Sequence, residues 1–145
     1  MFSFNRLNFK ATAVTKVVLT QNKKLMLGEV RTLHELGVAA GRVFGNRPSI
    51  GWKCAKTGAW TWTSFAERAA KARQCARGLE SMGVRLGDRV AVISKNREEW
   101  VTAAYGCYGA GAALVPMYEQ QTPKDWEFIL RDSGAKVLFV SRRDL

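Results

Sequence analysis

Arg89-Val90-Ala91-Val92-Ile93-Ser94 is a short, β-branched apolar run, and two runs of the same kind follow it, Ala113-Leu114-Val115-Pro116-Met117 and Lys136-Val137-Leu138-Phe139-Val140. Uninterrupted apolar runs of this length suit strands covered on both faces, as in a parallel sheet. The gaps between them carry helix signals. Asn96 with Glu99 three residues on is a capping pattern that predicts a helix from Arg97 to about Gly109. Thr122-Pro123 predicts a second start, with Thr122 as N-cap and Pro123 at the first helical position, and Gly134 releases that helix after about Asp132. Strand, helix, strand, helix, strand requires right-handed crossovers and hence a parallel sheet. The fold class is read as α/β, an incomplete three-layer sheet of βαβαβ order.

Upstream, Ser64 with Glu67 opens a long helix whose apolar stripe is Phe65, Ala69, Ala72, Ala76, Leu79 and Met82, closed by Gly83. Arg68, Lys71, Arg73 and Arg77 occupy its other sides and read as a solvated face. Before it, Ser49 to Ala55 and Ala59 to Trp62 read as a small hairpin turning at Lys56-Thr57-Gly58. Trp52, Trp60 and Trp62 share one parity, so they are expected on one side, packed against the helix that follows. A shorter helix is expected from Thr32 to Phe44 and ended by Pro48.

The 145 residues carry a formal charge of +11. Residues 1–60 hold ten Lys or Arg against Glu29 and Glu35, whereas residues 61–145 hold thirteen against ten acids. The first 28 residues contain no acid, and Leu7, Val14, Val17 and Val18 form a modest stripe at helical spacing. Such a segment reads either as a mitochondrial transit peptide or as a plain basic extension. The domain reading is thus residues 1–28 as extension and 29–145 as part of one α/β domain. No apolar run approaches the ~20 residues of a membrane-spanning helix. The front segment has no nucleic-acid-binding module, and its aromatics are not interleaved as stacking platforms. Cys54, Cys75 and Cys107 are far apart, and His34 is the only histidine, so no four-ligand zinc site is expected. Cys75 and Cys107 read as buried, small apolar side chains.

Gly106, Gly109 and Gly111 invite a nucleotide reading, but their order closes a helix where a dinucleotide fingerprint opens one. Close packing of the helix on the sheet is the expected role. Glu98, Glu99, Asp125 and Glu127 read as first-turn helix acids.

Five phrases carry a family resemblance: Thr61-Trp62-Thr63-Ser64-Phe65, Gly87-Asp88-Arg89-Val90-Ala91-Val92, Asn96-Arg97-Glu98-Glu99-Trp100, Ala110-Gly111-Ala112-Ala113-Leu114-Val115-Pro116-Met117-Tyr118, and Ile129-Leu130-Arg131-Asp132-Ser133-Gly134-Ala135-Lys136-Val137-Leu138-Phe139-Val140-Ser141. In this order and spacing the chain resembles the N-terminal part of a long-chain acyl-CoA synthetase, an adenylate-forming, AMP-binding enzyme. The resemblance implies a Rossmann-like sheet serving as scaffold. For the complete enzyme it implies ATP, magnesium and CoA as cofactors and a fatty acid as substrate. The family grips ATP with a Ser/Thr/Gly-rich loop ending in lysine, and this sequence has no such loop. Thr57-Gly58 and Ser94-Lys95 lack neighbouring small polar residues. No catalytic, cofactor-binding or metal residue is therefore assigned, and the chain alone is expected to be inactive. The expected partner is the remainder of a synthetase, or another protein covering the sheet edge. A catalytically empty structural subunit of a mitochondrial assembly is the alternative reading.

Overall fold

The structure is a computed structural model that describes residues 30–141. The basic segment 1–28 and its apolar stripe lie outside the described residues. In chain order the elements are α1 (Leu33–Phe44), β1 (Pro48–Lys53), β2 (Trp60–Ser64), α2 (Phe65–Ser81), β3 (Arg89–Ile93), α3 (Glu98–Gly109), β4 (Ala113–Met117), α4 (Pro123–Ser133) and β5 (Val137–Val140). β1 and β2 form an antiparallel ribbon, and β4-β3-β5 form a parallel sheet with β3 in the centre. The α/β class and the βαβαβ order are those read from the sequence.

Alternation along the strands divides the core. Val90, Leu114, Val137 and Phe139 face α2 and α3, meeting Leu79 and Cys107. Ala91, Ile93, Val115 and Met117 face the other way, onto Trp126, Ile129 and Leu130 of α4. Helices thus lie on both faces, as a parallel sheet requires.

α2 and α3 end in the same way. Val84 N–H reaches back to Leu79 C=O at 3.0 Å and Gly83 N–H to Glu80 C=O at 3.1 Å. Ala112 N–H reaches Cys107 C=O at 3.0 Å and Gly111 N–H reaches Tyr108 C=O at 3.2 Å. Each is a Schellman motif, with glycine at the positive φ of 87° or 71° that closes the turn. The residue after each glycine, Val84 or Ala112, drops into the core beside the last buried helical side chain.

Several expectations are corrected. Asn96 does not cap α3. The helix begins at Glu98, and its N-cap Arg97 makes no side-chain cap bond. α1 stops at Gly45, with φ 50°, before Pro48 is reached, and Pro48 instead opens β1. Met82 leaves the apolar stripe and is exposed, because the Schellman turn has already redirected the chain there. Arg68 is not simply solvated, since its guanidinium lies 5.0 Å from the Phe65 ring and 5.1 Å from the Tyr105 ring.

The hairpin departs further from its reading. Residues paired across antiparallel strands share a face, and the register is Trp52 with Thr61, Trp62 with Gly51, and Trp60 with Lys53. Trp52 therefore faces away from Trp60 and Trp62. Parity counted along a chain does not survive a turn, because the turn's length sets the register. Thr63, paired with Ile50, is the buried residue of β2, while Trp60 and Trp62 stack on the outer face with centroids 5.8 Å apart.

The glycines of α3 approach helices rather than the sheet. A Cβ added at Gly106 would lie 2.5 Å from Cys75 Sγ, and one at Gly109 would lie 3.0 Å from both Ala76 Cβ and His34 Nδ1. Gly106→Ala is expected to destabilise the chain by about 1–3 kcal/mol through overpacking. Gly78→Ala, where an added Cβ meets nothing within 4 Å, is expected to stabilise it by about 0.5–1 kcal/mol. Urea melts of the two variants check both signs.

Candidate functional site

The β3–α3 and β4–α4 connections leave the sheet towards opposite faces, which makes a switch point between β3 and β4. Open α/β sheets bind ligands outside the carboxyl ends of their strands at such points. Here the crevice encloses about 380 Å³ and is lined by Ser94, Lys95, Asn96, Trp100, Tyr118 and Gln120. A second cleft of about 320 Å³ lies beside β5, between Val92, Phe139, Cys75 and Thr102.

Several polar groups at these strand ends are tied together. Glu119, just after β4, accepts the Lys95 backbone N–H at 3.1 Å from the β3 end and the Ser141 hydroxyl from the β5 end. Lys95 Nζ lies 3.8 Å from the same carboxylate. One acidic side chain thus fastens the carboxyl ends of all three strands. Arg97 grips Glu99 through two bonds of 2.7 Å, which hold the Glu99 carboxyl below its usual range and raise the Arg97 guanidinium. Gln121 Oε1 accepts the Tyr118 N–H at 2.8 Å, and the Trp126 indole donates to Tyr118 C=O at 2.9 Å.

Thiol chemistry finds little support. Burial raises Cys75, and burial together with the neighbouring Cys75 pushes Cys107 up to about 11. Both remain protonated at neutral pH, where the thiolate is the nucleophile. Cys54 is lowered by its hydrogen bonds to Thr57, but it sits at the hairpin turn, away from either cleft.

The residues present do not fit ATP or magnesium. A phosphate cradle needs a run of free backbone amides and hydroxyls, or an unopposed helix N-terminus. The helix that starts beside the crevice, α3, carries Glu98 and Glu99 in its first turn. Glu98 is engaged with Lys71 at 2.7 Å. Among the described residues no three His, Cys, Asp or Glu side chains gather to hold a metal ion. Asp125, in the first turn of α4, completes a capping box with Thr122, whereas Glu127, read as a first-turn acid, lies beyond that turn and pairs with Arg131 at 2.8 Å.

Sequence reading missed Glu119. Its partners lie 24 and 22 residues away, so no local pattern marks it. The opposite end of the sheet has a counterpart in Asp88, which takes Lys136 Nζ at 2.8 Å and the Arg85 N–H at 2.7 Å.

The profile of the AMP-binding enzyme family matches residues 39–145, and the chain belongs to that family. It is 42% identical over 83 residues to the long-chain-fatty-acid–CoA ligase FadD15 of Mycobacterium tuberculosis, a match covering 57% of this chain and 14% of the relative. It is 34% identical over 118 residues to surfactin synthase subunit 1 of Bacillus subtilis, covering 81% of this chain and 3% of that protein. Among solved structures, the N-terminal domain of FACL13 from Mycobacterium tuberculosis superposes with a TM-score of 0.66 at 27% identity, over 77% of this chain and 27% of that one. The anthranilate–CoA ligase AuaEII superposes at 0.67 and 26%, over 76% and 20% respectively. The chain therefore spans a small fraction of the length of these relatives.

Removing the clamp should be costly. Glu119→Ala is expected to destabilise the chain by about 1–3 kcal/mol, since it removes the hydrogen bonds that a nearly buried carboxylate accepts from the Lys95 N–H and the Ser141 hydroxyl; chemical denaturation checks this. Acid should act at the other end of the sheet. The hydrogen bond from Lys136, followed by that from Arg85 N–H, lowers the Asp88 carboxyl. Its stabilising contribution is complete above the ordinary carboxylate value of about 4 and is lost as pH falls through the lowered folded value. Melting temperature measured against pH should fall less steeply below that point in Asp88→Asn than in the parent.

Proposed function

We propose that this chain is the N-terminal section of a long-chain fatty acid–CoA ligase and that it supplies scaffold rather than catalytic groups. The observation that carries the reading is the switch-point crevice itself. It stands at the end of the sheet where chemistry is expected, yet the acid at that end, Glu119, is spent on fastening strand ends, and among the described residues no metal-holding cluster gathers there. The identity to FadD15 supports the substrate class, a long-chain fatty acid. In the complete enzyme the reaction proposed is adenylation of the fatty-acid carboxylate by ATP, followed by transfer of the acyl group to CoA.

A second reading, a catalytically empty subunit of a larger assembly, is favoured by one feature. Among the described residues β5 pairs with β3 alone, leaving its other edge open, and Leu138 and Val140 of β5 are partly exposed. A mitochondrial destination for either form rests on the acid-free first 28 residues.

The 145-residue chain, incubated with ATP, magnesium, palmitate and CoA, is expected to release no pyrophosphate above background. ATP-dependent acyl-CoA formation by this chain would overturn the scaffold reading. An antibody to residues 61–140 should detect an endogenous band several times heavier than this chain. A band at the chain's own size, co-purifying with partners, would favour the second reading instead.

A further inference from the structure

Trp60 and Trp62 are 62% and 56% exposed on the outer face of the β1–β2 hairpin, stacked with 25° between their ring planes. Gly51 is the cross-strand partner of Trp62, and a Cβ there would lie 2.6 Å from the Trp62 ring. The absence of a side chain at position 51 therefore lets the indole lie along the neighbouring strand. Lys53 is the partner of Trp60 and shares its face. Two flat, amphipathic rings with a cation beside them sit in open solvent, at a position where neither contributes to the core.

Charge singles out the same region. Residues 36–66 contain Arg42, Arg47, Lys53 and Lys56 and no acid. The nearest following acid, Glu67, is occupied in capping α2, where it accepts the Ser64 N–H at 2.8 Å. We propose that the outer face of this hairpin docks on an anionic lipid surface, with Trp60 and Trp62 entering the headgroup layer and Lys53 and Lys56 meeting lipid phosphates.

Indole rings favour the boundary between lipid and water because they present an apolar body and one polar N–H. Each nearby Lys or Arg adds electrostatic attraction to an anionic leaflet. A stable protein partner would cover about 800 Å², more than two indoles of roughly 200 Å² each provide. A lipid surface sets no such minimum. No helix among the described residues is long and apolar enough to cross a membrane, so the docking is peripheral. The inference stands on the hairpin and does not require the ligase reading. It complements that reading, because a long-chain fatty acid concentrates in the same lipid phase.

The test uses the whole 145-residue chain, so that the basic front segment is present in every sample. Sedimentation with phosphatidylcholine vesicles, with and without phosphatidylglycerol, gives the affinity. Binding is expected to the anionic vesicles. Trp60→Ala with Trp62→Ala should weaken it at least about tenfold, as two indoles leave an apolar phase. Lys53→Gln with Lys56→Gln should weaken it by about thirtyfold, from roughly 1 kcal/mol per charge. Brominated lipid should quench tryptophan fluorescence in a chain carrying Trp52→Phe, Trp100→Phe and Trp126→Phe, and the quenching should vanish when Trp60 and Trp62 are replaced instead. Circular dichroism identifies any variant that fails to fold, and the quenching measurement then decides alone. Vesicle binding that is unchanged in the Trp60/Trp62 variant, with no quenching of these two indoles, would overturn the proposal and assign lipid binding to the front segment. Self-association that disappears in that variant, without vesicle binding, would also overturn it and make a second copy of the chain the occupant.

Discussion

The close approach of α3 to α2 sets the geometry on which the rest of the sheet is built. It is achieved by subtraction: Gly106 and Gly109 on α3 meet the Cys75 and Ala76 side chains of α2, so α3 itself places no side chain between the two backbones. Ala69, Ala72, Ala76 and Ala103 continue the same economy of volume. With the helices this near, their last buried residues, Leu79 and Cys107, reach one cluster with Val90 of the central strand. The paired Schellman motifs then deliver Val84 and Ala112 into that cluster and turn the chain towards β3 and β4. Interiors pack at crystal-like density, so a spacing defined by a missing Cβ tolerates few other residues.

The opposite face is held differently. α4 contributes Trp126, Ile129 and Leu130 but has no fully buried residue. Phe128 points outward, and Leu138 and Val140 remain partly exposed at the open side of β5. A parallel sheet reaches full stability when both faces and both edges are covered. Here α2 and α3 cover one face except for the cleft beside β5, and the other face is half finished. That asymmetry, together with relatives several times longer, is the physical content of the scaffold reading.

What could be read in advance follows from the range of each interaction. The order of strands and helices, the Ser64 and Thr122 caps, and the Gly83 stop are local patterns, and the structure shows each of them. Asn96 failed as a cap because a capping pattern states only a possibility, and α3 starts one residue later than expected, with Arg97 as N-cap gripping Glu99. The tryptophans failed for a different reason. Their face depends on the turn that joins two strands, and the pairing of Trp52 with Thr61 is decided across that turn. Glu119 is the clearest case of information that no window contains, since its carboxylate gains meaning only when β3, β4 and β5 are already side by side.

That clamp also gives the carboxyl end of the sheet a structural role. Loops that perform chemistry at the carboxyl ends of strands need those ends fixed, because a site displaced by 1 Å loses much of its rate. Glu119 fixes three strand ends with one side chain that is nearly buried, where hydrogen bonds to a charged group are strong. Asp88, joined to Lys136 and the Arg85 N–H, and Arg89, donating to the carbonyls of Ser133 and Gly134, do the same at the amino ends. Both ends of the sheet are tied by charges placed at the tips of strands, outside the apolar layers. A segment built in this way holds its strand ends in position, which is what the scaffold reading asks of it.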